Sequence, residues 1–158
     1  MAANETEKRA QSVYRTLCQA LDDRKWVYQK DEENNRVRVT VTGEDLPMTL
    51  NITVDAPDEL VKIHSTLFKI SEERRVEAAL VICAINYRLV DGCFDYDLRD
   101  GEVLFRQVSC YTGGIVGKGM IDYMLRCALS TIDDFNDLLL MYSKEKLSLQ
   151  EALDQING

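Results

Sequence analysis

Apolar residues set the chain's first period. From Glu5 to Asp23, Val13, Leu17, Ala20 and Leu21 recur at helical steps, which predicts an amphipathic helix. From Lys25 to Lys30 the period drops to two, with Trp26 and Tyr28 on one side. A wholly polar stretch, Asp31 to Arg36, predicts a turn. Val37, Val39 and Val41 then alternate with Arg38, Thr40 and Thr42. After a break over Gly43 to Pro47, Met48, Leu50, Ile52 and Val54 alternate with Thr49, Asn51 and Thr53. Strands written this way have one buried and one solvated face, so they predict an antiparallel meander. Asp55 to Asp58 turns the chain, and Leu60 to Ile70 is a further extended stretch.

Ser71 is placed to cap the next helix, with Glu72 and Glu73 in its first turn, where the helix dipole favours negative charge. Val76, Ala79, Leu80, Cys83, Ala84 and Tyr87 recur along it, and Ala78, Val81, Ile82 and Ile85 widen the apolar face. A face that broad implies packing across a sheet or against a second copy of the chain. FDYDLRDGEVLFRQ predicts a hairpin with a type I′ turn at Asp100-Gly101. Pairing outward joins Arg99 to Glu102, Leu98 to Val103, Tyr96 to Phe105 and Asp95 to Arg106. Lys118 to about Ser143 predicts a long helix buried along Ile121, Met124, Leu125, Ala128, Ile132, Phe135, Leu139 and Tyr142. In the tail 145–158, Ser148-Leu149-Gln150-Glu151 is a capping box opening a short helix. The order is α-β-β-β-β-α-β-β-α-α, an α+β fold in one domain over 1–158.

Composition narrows the function. The 158 residues include 46% apolar and 29% charged positions, with net charge −8. A surface of that sign repels nucleic acid and anionic membranes unless its 19 basic residues cluster, and no dense basic run occurs. Five widely spaced cysteines form no CxxC pair, and His64 is the only histidine, so no metal site is expected. The cysteines read as reduced, mostly buried thiols of a cytoplasmic protein. The polar start MAANETEKRA has no apolar core of a signal peptide. His64 falls on the Lys62/Thr66 side of its strand, where an exposed position is expected.

CYTGGIVGKGMID is the stretch most suggestive of chemistry. A phosphate loop needs G-x-x-x-x-G-K-[ST], so that backbone amides and a lysine face the anion and a hydroxyl holds magnesium. Gly117-Lys118 fits the centre, but Thr112 replaces the first glycine and Gly119 the hydroxyl. The expected role of loop 113–119 is therefore a change of direction that uses positive φ. Weak anion binding by Gly117, Lys118 and Gly119 at the helix start, or a small-molecule or nucleotide response, is the alternative. Asp95, Asp97 and Asp100 are calcium-type residues, but Gly101 comes one position too late for an EF-hand. No catalytic, cofactor or metal residue is assigned.

LVKIHSTLFKI, SEERRVEAALVICAINYRL, GCFDYDLRDGEVLFRQVSCY and MLRCALSTIDDFNDLLL together resemble the YbjN family, whose fold is related to the type III secretion chaperones. GGIVGKG and SLQEALDQI are not mapped onto that pattern. The resemblance implies an antiparallel sheet with helices on one side, a regulator of sensory transduction, no enzymatic activity and no cofactor. Through the chaperones it also implies a homodimer that holds another protein. Trp26, Tyr28, Met48 and Met124 are the candidate partner-binding residues, weighed against ordinary core positions.

Overall fold

A computed structural model describes residues 2–44, 46–114 and 116–158. Helix α1 spans Ala2–Asp23. Four strands follow: β1 (Tyr28–Asp31), β2 (Arg36–Thr42), β3 (Pro47–Asp55) and β4 (Leu60–Lys69). After a single 3-10 turn at Glu72–Arg74 come α2 (Arg75–Arg88), β5 (Cys93–Tyr96), β6 (Glu102–Cys110), α3 (Lys118–Ser143) and α4 (Leu149–Asn157). All strand pairs are antiparallel, in the order β1-β2-β3-β4-β6-β5. This is the expected α+β architecture. No helix among the described residues is long and apolar enough to cross a membrane.

Strand alternation places the core. Val37, Val39, Leu50, Ile52, Ile63, Phe94 and Phe105 are buried, and the cross-strand register puts them on one face of the sheet. α1 covers that face with Val13, Leu17, Ala20 and Leu21, the stripe read from sequence, and α3 lies beside it. Phe94 meets Phe105 and Phe135 edge-on, with ring centroids 5.6 and 6.1 Å apart. The helix end at Asp23 is a Schellman motif. Trp26 N–H donates to Leu21 O at 3.2 Å, Lys25 N–H donates to Asp22 O at 2.8 Å, and Lys25 takes φ 56°. That motif seats Trp26 against the Leu21 end of the core.

Three local expectations are corrected. Ser71 precedes the 3-10 turn but makes no side-chain capping bond, and its Oγ is buried without a partner. The hairpin pairs Tyr96 with Val103 and Phe94 with Phe105, a shift of two residues from the predicted register. A two-residue shift keeps every side chain on its own face, which is why the apolar and charged sets survive it. The turn is also longer than type I′. Asp97 N–H donates to Glu102 O at 3.0 Å, Gly101 N–H to Asp97 O at 2.7 Å, and only Gly101 has positive φ. Finally, Cys18 alone of the five thiols is buried; Cys83 and Cys110 are exposed and Cys93 and Cys127 half-buried.

The C-terminal helix is docked on the rest of the chain. Its capping box forms as predicted, with Ser148 and Glu151 bonded reciprocally. Arg74 stacks 3.7 Å over the Tyr142 ring and donates to Leu147 O at 2.8 Å, while Arg88 donates to Ile156 O. Ala152 and Ile156 are buried.

Candidate functional site

The helices leave two surfaces exposed: the far face of the sheet and the outer side of α2. Register builds the first. Gln29, Arg38, Asn51, His64, Arg106 and Cys93 pair in turn across all six strands, forming one polar row. Arg106 forms a two-pronged bond to Asp95 at 2.5 and 3.0 Å, which holds that carboxyl below its ordinary range. His64 is half-buried beside them, more enclosed than expected. Desolvation first, and then the Arg106 charge, keeps its imidazole below 6.5. On the next row Lys62 pairs with Asp55 at 2.7 Å.

The two edges of the sheet differ. At β5 the Asn86 side chain accepts from Phe94 N–H at 2.8 Å and donates to Phe94 O at 2.9 Å. One amide therefore occupies backbone groups that another strand would need, a side-chain answer to the edge-strand hazard. At the other edge, β1 covers only Tyr28 to Asp31 and pairs with β2 as far as Val39. Beside it lies a shallow recess of about 430 Å³ lined by Val27, Tyr28, Gln29, Arg38 and Thr40.

The sequence-derived candidates separate here. Trp26 and Tyr28 sit half-exposed next to the β1 edge. Arg24 lies 5.5 Å from the Trp26 ring, and Tyr28 Oη donates to Asp22 at 2.8 Å, with burial and that bond pushing its phenol up. Met48 and Met124 are buried in the core, so the structure withdraws them as surface for a partner. Their apolar period is equally satisfied by a core, and burial of large apolar side chains decides between the two.

The described residues of the glycine loop do not make a cradle. Lys118 is ion-paired with Asp23 at 2.5 Å, and Asp122, one turn into α3, is paired with Arg24. An arriving phosphate would compete with two carboxylates. Gly117 has extended backbone, and a Cβ on Gly117 or Gly119 would meet open space, so neither marks a close backbone approach. Among the loop's described residues, only Gly113 uses positive φ, at 67°. Ile115 of this loop, like Asp45 of the break before β3, lies outside the described residues.

The outer side of α2 was only half read from sequence. Ala78, Val81, Ile82 and Ile85, taken as widening the stripe, are the residues buried against the fold. Of the expected main stripe, Ala79 and Ala84 are half-buried, while Val76, Leu80, Cys83 and Tyr87 face solvent, with Val76 78%, Leu80 56% and Tyr87 92% exposed. Their spacing of four, three and four is that of a coiled-coil seam.

A family model matches residues 14–141, described as "YbjN: Putative bacterial sensory transduction regulator". The chain belongs to the YbjN family. A solved structure of YbjN from E. coli, titled "a putative transcription regulator", superposes with a TM-score of 0.61 at 16% identity, covering 82% of this chain and 91% of that one. At that identity the likeness establishes the fold. No curated protein matches the chain. The match ends inside α3, so α4 lies beyond the family region.

Proposed function

We propose that this YbjN-family chain is a non-enzymatic regulator that works as a homodimer, binding another protein as a chaperone-like adaptor. The observation that carries the proposal is the exposed seam of α2. Large apolar side chains in water at coiled-coil spacing are costly unless a partner covers them. A second copy fits. In an antiparallel pairing Val76 faces the second copy's Tyr87, and Leu80 faces its Cys83, so one sequence complements itself about a two-fold axis. The flanking positions beside the seam are Glu77, Ala79, Ala84 and Asn86. Two are small, which allows close approach, and no like charges oppose each other. Antiparallel helices also set their dipoles head to tail.

Such a dimer leaves both polar sheet faces and both β1 edges open to a partner polypeptide. Trp26 and Tyr28 beside that edge supply apolar contact for an added strand. A cysteine trap tests the seam. In a background with the exposed Cys83 and Cys110 replaced by alanine, Val76→Cys/Tyr87→Cys should oxidise to a covalent dimer, and Val76→Cys alone should not. Monomer persisting in the double variant under oxidation would reject the pairing.

A further inference from the structure

β3 and β4 are adjacent strands that pair along only part of their length. Their ladder runs from Asn51–His64 to Asp55–Leu60. Beyond it, the first part of β3 is paired with β2 and the last part of β4 with β6. A bulge between Thr66 and Phe68 marks the same place on β4. The split holds a cavity of about 80 Å³ between Met48 on one strand and Ser65 and Phe68 on the other, with Ile132 and Asn136 of α3 also lining it.

Two of the residues lining it carry buried polar atoms without a protein hydrogen-bond partner: Ser65 Oγ, Asn136 Nδ2 and Asn136 Oδ1. Both residues are buried, Ser65 completely and Asn136 to 2% exposure. A side chain this deep without a protein partner is disfavoured, and the adjoining cavity is where these groups can find one. The rest of the lining is apolar or hydroxylic, and no charged side chain among the described residues takes part. A carboxamide offers donors and an acceptor in one plane, and the serine adds a hydroxyl that can serve as either.

We propose that this split is a binding site for a small neutral molecule with a carboxamide-type head and a short apolar body. The head pairs with Asn136 and Ser65, and the body rests against Met48, Phe68 and Ile132. At about 30 Å³ per liquid water, the volume corresponds to roughly three water-sized groups. A charged carboxylate is disfavoured, because no cation lines the cavity to offset its desolvation. This site is independent of the α2 seam, so its failure and the failure of the dimer would be separate results.

Isobutyramide is the probe. Titrated into the full chain and followed by NMR, it should produce saturable shifts at the Asn136 side-chain amide and the Ile132 methyl groups. Affinity in the millimolar range is expected for a ligand of about six heavy atoms. Isobutyrate should bind about tenfold more weakly. Asn136→Leu should weaken isobutyramide about tenfold or more, and Ser65→Ala several-fold. Asn136→Leu should also melt higher by about 2–4 °C, having lost an unpaired buried amide. Absence of saturable shifts, equal binding of isobutyrate, or unchanged affinity in Asn136→Leu would overturn the site. Should Asn136→Leu not fold, undiminished affinity in Ser65→Ala would overturn it.

Discussion

Asp97 organises the β5–β6 turn from one side chain. Its carboxylate accepts from Arg99 N–H at 2.8 Å and from the Arg99 guanidinium at 2.6 Å, while its carbonyl accepts from Gly101. The Arg99 guanidinium first, and then the Arg99 N–H, hold its carboxyl down from 3.8 to about 2. A depressed folded value stabilises the fold fully above 3.8 and loses that contribution as pH falls through about 2. Urea unfolding followed from pH 5 to 2 should show wild type losing stability in that window and Asp97→Asn losing less. Parallel curves would remove Asp97 from the acid response. Residue identity was legible at some points and hidden at others. Asn136 stands four residues after Ile132 and three before Leu139, so its place on the buried stripe of α3 could have been read from spacing. Ser65 likewise alternates inward with Val61 and Ile63. Their lack of partners could not, because that depends on a split between strands distant in sequence.

At the scale of elements, local period sufficed for α1, β2, β3 and the hairpin's existence, since each buries a face that its own sequence marks. Register and facing were less legible. The hairpin slid by two residues because Asp97 and Asp100 side chains bond backbone amides within a longer turn, a preference invisible to cross-strand pairing alone. On α2 both stripes are apolar, so period could not say which one meets the sheet. α4 lies beyond the family match yet is fastened by Arg74 and Arg88 to its neighbours. Ile156→Ala should therefore lower unfolding free energy by about 2–4 kcal/mol, as for other buried isoleucines. A loss below about half a kcal/mol in urea titration would make α4 an ornament on the fold.

On the scale of the whole molecule, all described helices lie on one side of the sheet, and the only long apolar seam left among the described residues points outward from α2. The opposite sheet face is polar and crossed by the Arg38–Asn51–His64–Arg106 row, with one edge shut by Asn86 and the other short and accessible. A two-fold assembly through α2 would cover the seam and double the open faces. Composition and charge spoke against nucleic acid and metal chemistry but could not choose a partner, because the surfaces that select one are assembled across strands. Sedimentation equilibrium tests the central claim most directly. Wild type should sediment at twice the 18.1 kDa chain mass, and Leu80→Glu at the chain mass with its circular dichroism unchanged. Wild type at the single-chain mass up to about 100 μM, far above the affinity of a stable dimer, would contradict the account.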